Sequence, residues 1–202
     1  MPTGVVHRVA HSADGTDRTR DTELGPNLGD VDVHGAHPPG QIDLGDVNVS
    51  ELAGAAAQVW RSRCQAADVE FRLEAPSSPI CCHTDPSRVR QILDGLFENA
   101  LRVTPPGAPI ILSVRAEAGH QTVLLEVRDG GPGLTDADLA VAFERSVLYE
   151  RYRGIRQVGT GLGLAIAAGL TRRLGGSVEA GHSAEGGARF TVRLPAEGSV
   201  SG

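Results

Sequence analysis

Residues 85–107 read DPSRVRQILDGLFENALRVTPPG. Asp85 followed by Pro86 marks a helix start: a carboxylate able to accept from first-turn amides, then a proline whose fixed φ suits the first helical position. Val89, Ile92, Leu93, Leu96, Phe97, Ala100 and Leu101 recur at three- and four-residue intervals, which draws one apolar stripe along a helix. Thr104-Pro105-Pro106-Gly107 ends it, because two prolines cannot continue the hydrogen-bond ladder. Two polar residues, Glu98 and Asn99, sit among Leu96, Phe97, Ala100 and Leu101, beside a seam that the stripe predicts to be buried.

Upstream, order is expected to begin near Val49. Ser50 is suited to cap a helix whose apolar face uses Leu52, Ala56, Val59 and Trp60. Val69, Phe71 and Leu73 alternate as in a strand, and Ile80 to Thr84 reads as a short second one. Downstream, Ile110, Leu112, Val114 and Ala116 alternate, as do Val123, Leu125 and Val127; Ala118-Gly119-His120 between them predicts a hairpin. A glycine-rich loop at 129–133 precedes a short helix near Asp136–Ala142 and an irregular, arginine-rich stretch over 144–158. A helix from about Leu162 to Leu174 stops at Gly175-Gly176, and Val178–Ala180 and Arg189–Leu194 read as the last strands. Helices interspersed with antiparallel strands predict an α+β fold: a two-layer sandwich with helices on one face of a mixed, mainly antiparallel sheet.

Composition narrows the class. Aromatic residues are 3% of the chain against 40% hydrophobic, so the predicted core is aliphatic. The net charge is -6, which argues against a nucleic-acid-binding face, and all 19 basic residues are arginine. No apolar run approaches the roughly 18–20 residues of a membrane span, and Met1–Ala10 lacks the pattern of a signal peptide. The chain is therefore expected to be soluble and cytoplasmic, with no membrane contact of its own. Cys64, Cys81 and Cys82 fit neither a disulfide framework nor zinc spacing and are expected to be buried free thiols. Residues 12–48 are rich in Asp, Gly, Pro and His and read as a linker; His34 and His37 have no further ligands around them. The expected division is a tail and linker over 1–44, one domain over 45–197 and a short tail over 198–202.

Three elements carry chemistry. Asn99 offers an amide oxygen of the kind Mg²⁺ accepts when waters and nucleotide phosphates supply the remaining ligands. Glu98 stands beside it, and Arg102, three residues on, shares nearly the same helix face and can reach a phosphate. The second element is Asp129-Gly130-Gly131-Pro132-Gly133 after a strand: a carboxylate able to accept from an exocyclic amine, and glycines that let backbone approach a ring. The third is Gly159-Thr160-Gly161-Leu162-Gly163-Leu164 opening a helix, where backbone amides and the helix N-terminus favour phosphate. No Gly-Lys-Ser/Thr follows and no strand directly precedes it, so it is neither a Walker loop nor a Rossmann fingerprint.

In this order and spacing the three elements resemble the N, G1 and G2 boxes of the GHKL ATPase/kinase superfamily, in its histidine-kinase branch. Phe143-Glu144-Arg145 resembles the F box, and Leu174–Val178 with Gly186–Pro195 resembles the closing segment. The resemblance covers roughly residues 45–195 and implies a Bergerat-type ATP-binding fold with ATP and Mg²⁺ as ligands. It implies that Asn99 holds Mg²⁺ and Arg102 touches phosphate, with Glu98 beside them in the catalytic group. Asp129 would bind the adenine amine within a pocket shaped by Gly131 and Gly133. Gly159, Thr160, Gly161, Leu162 and Gly163 would line the triphosphate, and Thr191 would lie near the adenine. Residues 144–158 would form a lid whose Arg145, Arg151, Arg153 and Arg156 gather on phosphate, Arg145 and Arg153 foremost. The implied partners are a dimerisation domain bearing the phosphoacceptor histidine and a response-regulator receiver domain.

Two departures stand out. Gly95 occupies the position, four before Asn99, where many family members carry Asn or another polar residue; it also weakens the helix by roughly 1 kcal/mol relative to Ala. None of the seven histidines stands in the His-Glu-Leu-Arg-Thr-Pro context of the family's acceptor helix, although Val5–Asp14 resembles the end of a second dimerisation helix. A non-catalytic nucleotide-binding regulator and an anti-sigma-factor-type serine kinase of the same superfamily are the competing expectations; the F box and the long lid favour the histidine-kinase branch.

Overall fold

The computed structural model describes residues 42–117, 119, 121–154 and 161–196. Residues 1–41 of the tail expected over 1–44, and the chain beyond 196, lie outside the described residues.

Order begins earlier than Val49. Ile42 packs against the core, and the Asp43 amide donates to Asp85 Oδ2 at 3.0 Å. Strand β1 (Gly45–Asn48) pairs antiparallel with β3 (Cys81–Thr84), Gly45 opposite Thr84. Helix α1 (Val49–Ala66) is capped by Asn48, whose side chain accepts from the Glu51 amide at 3.2 Å. Ser50, the expected cap, lies inside the first turn and accepts from the Ile80 amide at 3.1 Å, tying α1 to the entry of β3. Val59, expected on the apolar face, is 48% exposed, whereas Ala53, Ala56, Ala57, Trp60 and Cys64 are buried.

Helix α2 (Pro86–Val103) follows its sequence signals closely. Asp85 accepts from the Arg88 amide at 3.0 Å, and the buried residues are Val89, Ile92, Leu93, Leu96, Phe97 and Ala100. Thr104 closes the helix, its amide and hydroxyl both bonded to the Ala100 carbonyl. Phe97 stacks between Trp60 of α1 and Phe71 of β2 (Glu70–Glu74), with ring centroids 5.3 and 5.5 Å away. The mainly aliphatic core thus holds an aromatic knot where α1, α2 and the sheet meet.

That sheet has the order β2-β4-β5-β7-β6, built from β2, β4 (Pro109–Ala116), β5 (Thr122–Asp129), β6 (Ser177–His182) and β7 (Ala188–Pro195). The β2–β4 pair is parallel and the other pairs are antiparallel. Alternation sorts its residues into two faces. Ile110, Leu112 and Val114, Val123, Leu125 and Val127, and Phe190, Val192 and Leu194 form the buried face against α1, α2 and α5 (Gly163–Arg173). The opposite face carries Arg115, Glu126, Arg128, Arg189, Thr191 and Arg193. There Glu126, 4% exposed, accepts from Arg115, Arg128 and Thr191 at 3.3, 3.2 and 3.0 Å. The α+β two-layer arrangement expected from the sequence is the one observed.

Helix α5 ends at Gly175 with φ +73°, and the next amide, Gly176, bonds to the Thr171 carbonyl. A Cβ at Gly176 would stand 2.2 Å from the Arg193 carbonyl oxygen, so only glycine lets this turn meet β7. Between β5 and α5 lie two short helices, α3 (Asp136–Leu139) and α4 (Val147–Tyr152). The second falls in the stretch expected to be irregular. Cys64 and Cys82 are buried as expected, but Cys81 is exposed because its neighbour takes the inward position of β3.

Two substitutions in one helix are predicted to have opposite signs. Asn48→Ala removes the α1 cap and lowers stability by about 1 kcal/mol. Gly54→Ala, where an added Cβ meets nothing within 4 Å, raises it by about 0.5–1 kcal/mol. Urea-unfolding midpoints of the two variants measure both shifts.

Candidate functional site

Gly95, Glu98, Asn99 and Arg102 recur at helical spacing, so α2 presents them along one side, toward α5. They line one cavity together with Gly161, Gly163 and Leu164. The two helices approach at Gly95 and Gly163, where a Cβ on Gly95 would lie 3.5 Å from the Gly163 carbonyl oxygen, an ordinary van der Waals contact. Among the described residues no side chain caps α5. Its first-turn amides, which like those of any helix have no intrahelical acceptor, lie at the positive end that faces this cavity, which suits a phosphate. Among the described residues, Glu98, Asn99 and Arg102 make no side-chain hydrogen bond, which leaves an amide, a carboxylate and a guanidinium at the cavity wall.

Asp129 ends β5 in the row that faces the helices, directly after Val123, Leu125 and Val127. It is 1% exposed. Its Oδ1 accepts from the amides of Gly131 and Ala188 at 2.9 and 3.2 Å, and its carbonyl accepts from the Gly187 amide at 3.1 Å. Glycine is required around it. A Cβ on Gly187 would sit 2.1 Å from Asp129 Oδ1, and one on Gly131 would sit 2.8 Å from the same atom. Gly133 adopts φ +71° and turns the chain away past Gly186. A second cavity opens here, walled by Val103, Asp129, Gly133 and Ala188. Asn99, Leu148 and Leu164 line both cavities, so the two are halves of one cleft. The helix amide, the strand-end carboxylate and the glycine-opened helix thus converge, as the sequence reading requires.

Other expected site residues are placed differently. Thr191 pairs with Glu126 across β5–β7 and points to the sheet face away from the helices, because it alternates with the inward Phe190 and Val192. Ala188, three residues earlier, lines the cleft instead. Arg145 and Arg153 are exposed and stand outside the cavity lining. Leu162 serves as the N-cap position of α5 and does not line the cleft. Gly159, Thr160 and Arg156 lie outside the described residues. Phe143 packs edge-on against Phe190 at 6.1 Å, which fixes the start of the segment that leads to α4.

The cover of the cleft falls within the stretch expected as a lid, but apolar and aromatic residues, not the arginines, line the cleft. Leu148 and Tyr149 of α4 line the first cavity, and Leu148 and Tyr152 line the second. Helix α4 is held from α3 by Asp138, which is 1% exposed and accepts from Thr135, Arg151 and Tyr152. Burial alone would raise the Asp138 pKa; the hydrogen bonds from Tyr152, Thr135 and Arg151 outweigh it and hold the carboxyl well below the usual carboxylate range. Thr135-Asp136-Ala137-Asp138 matches the capping-box pattern, and the box is present. That pattern was the only local signal for Asp138.

The family model for histidine kinase-, DNA gyrase B-, and HSP90-like ATPases matches residues 84–198. The signal transduction histidine-protein kinase BaeS of Escherichia coli (strain K12) is 34% identical over 162 residues, covering 80% of this chain and 33% of BaeS. The sensor histidine kinase component HK1 of Mycobacterium tuberculosis is 37% identical over 137 residues, covering 68% of this chain and 76% of HK1. Full-length ShkA, solved in complex with AMPPNP, superposes with a TM-score of 0.66 at 29% identity, over 77% of this chain and 31% of that one. The nucleotide-free catalytic domain of histidine kinase ThkA gives 0.65 at 19% identity, over 78% of this chain and 99% of that domain, and shows the shared fold alone. The chain spans about a third of BaeS and about three quarters of HK1. This chain belongs to the histidine kinase-, DNA gyrase B-, and HSP90-like ATPase family, as a GHKL-superfamily histidine-kinase ATP-binding domain.

Proposed function

We propose that this domain binds ATP with Mg²⁺ and directs the γ-phosphoryl group to a histidine on a dimerisation domain, as the catalytic part of a cytoplasmic two-component histidine kinase. The observation that carries the proposal is the convergence of Asn99, Asp129 and the Gly161–Gly163 helix opening on one cleft. The residues present fit the ligand. The glycines packed against Asp129 let two backbone amides reach its Oδ1, which fixes the carboxylate at the cleft wall. Among the described residues no group of three or more His, Cys, Asp or Glu stands ready to hold a metal. Asn99 would be the chain's own ligand to a Mg²⁺ that enters with the nucleotide, an ion that takes oxygen ligands.

Each residue then has a task. Asp129 accepts from the adenine amine and is positioned for it by two backbone amides. The α5 N-terminus and Arg102 offset phosphate charge. When bound, Mg²⁺ neutralises charge on the phosphates. Asn99 orients that assembly, and Glu98, exposed beside it, stands where an incoming imidazole would need a proton acceptor. In the transfer, the bond between the bridging oxygen and the γ-phosphorus breaks, a phosphorus–nitrogen bond to the histidine forms, and ADP leaves. The phosphoryl group would pass onward to an aspartate of a receiver domain. Most of the work is positioning and electrostatics. Gly95 favours a second reading, a nucleotide-binding regulator without transfer, because it leaves one side of the cleft beside Asn99 without a polar side chain.

Three measurements test this. In calorimetric titration with Mg·ATP, Asp129→Ala is predicted to weaken binding about 10–100-fold, the loss of a hydrogen bond to a charged group; Asn99→Ala is predicted to remove the Mg²⁺ dependence. Unchanged affinity in both contradicts the assigned cleft. Gly187→Ala is predicted to abolish binding by displacing Asp129 and to lower the melting temperature. Mixing the domain with a histidine-bearing dimerisation domain and ATP is predicted to yield acid-labile phosphohistidine; binding without any transfer supports the regulator instead.

A further inference from the structure

The cleft is covered by its own chain. Leu148 and Tyr152 are four residues apart, so they share one side of α4, and that side enters the cleft. The Tyr152 ring stands in the Asp129 half, beside Gly133 and Ala188. Leu148 lies across both halves, and Tyr149 closes on Gly161 so tightly that a Cβ there would come within 2.8 Å of the Tyr149 Cβ. With α4 in this position the two halves hold about 90 and 50 Å³. Small-molecule sites commonly hold about 300–1,000 Å³. With α4 seated, neither half reaches that range.

A buried carboxylate holds the C-terminal end of α4 there. Asp138 Oδ2 accepts from Thr135 Oγ1 at 2.7 Å and from the Thr135 amide at 3.2 Å, which completes the cap of α3. The same carboxylate also receives the Tyr152 hydroxyl on Oδ2 and the Arg151 guanidinium on Oδ1. Arg151 is thereby committed to a protein carboxylate and not available to phosphate. Ser146, at the head of α4, has φ +61°, and its amide bonds to the Gly161 carbonyl at 3.2 Å. The helix is therefore held at both ends, by the glycine opening of α5 at one and by Asp138 at the other.

We infer that Asp138, Arg151 and Tyr152 form a latch that seats α4 as an intrasteric plug, so that nucleotide binds only to the unlatched form. This rests on the reading of the cleft as a nucleotide site. The latch makes the segment a competitor for the cleft in the empty protein. The apparent affinity then equals the intrinsic affinity scaled by the unlatched fraction. Hydrogen bonds to a charged group are strong enough that losing one shifts that fraction about tenfold.

Tyr152→Phe removes one arm of the latch and leaves the ring in place. Asp138→Asn removes the charge but also touches the α3 cap, so Tyr152→Phe decides. Two readouts are needed on the whole chain: hydrogen exchange of amides 147–152 without nucleotide, and titration with Mg·AMPPNP. The latch predicts faster exchange across α4 in Tyr152→Phe and about tenfold tighter binding, gained mainly as faster association. Exchange equal to wild type, or weaker binding in Tyr152→Phe, overturns it. If the wild type binds no nucleotide, the nucleotide reading of the cleft fails, and the exchange measurement still decides whether Asp138 holds α4.

Discussion

A buried carboxylate at the end of an apolar row organises this domain. Asp129 continues the inward alternation of Val123, Leu125 and Val127, yet it places a charge where the core would otherwise close. Such a group is costly to bury unless amides satisfy it. Two backbone amides satisfy its Oδ1, and each constrains the chain that supplies it. Gly131 must turn back over the carboxylate, and the start of β7 must bring Gly187 and Ala188 against it with no side chain between. The sheet order that puts β5 beside β7 is what makes this possible.

The second constraint is the approach of α2 to α5. The backbones approach at Gly95 and Gly163, and Asn99, one turn beyond Gly95, stands at the junction of both halves of the cleft. The family's ordinary polar residue at position 95 would find room here, since a Cβ meets only ordinary van der Waals contact. Gly95 is thus not demanded by packing. Its effect falls on the chemistry beside Asn99, while the Asp129 half and the α5 N-terminus are left intact.

Much of this was legible in the sequence where the determinants are local. Asp85-Pro86 and the seven-membered stripe define α2, and a carboxylate closing an alternating strand before a glycine run marks the Asp129 pocket. The α1 cap was misread because Asn48 and Ser50 are both competent acceptors. The choice between them is made by β1 pairing with the distant β3. Thr191 illustrates a signal that was present and overridden: Phe190, Val192 and Leu194 alternate, which already puts Thr191 on the outer face with Glu126. The latch was not legible, since Asp138 meets Arg151 and Tyr152 across a segment with no periodic pattern.

The central claim is that one cleft, on the helix side of the sheet, receives the nucleotide. Amide chemical-shift mapping by nuclear magnetic resonance during addition of Mg·AMPPNP tests it most directly. The account predicts that signals from Asn99, Gly131, Gly163 and Ala188 move together and saturate at one concentration, while those of Arg72 and Glu179 on the outer face stay fixed. Shifts centred on the outer face, or Gly131 and Gly163 responding at different concentrations, would contradict it.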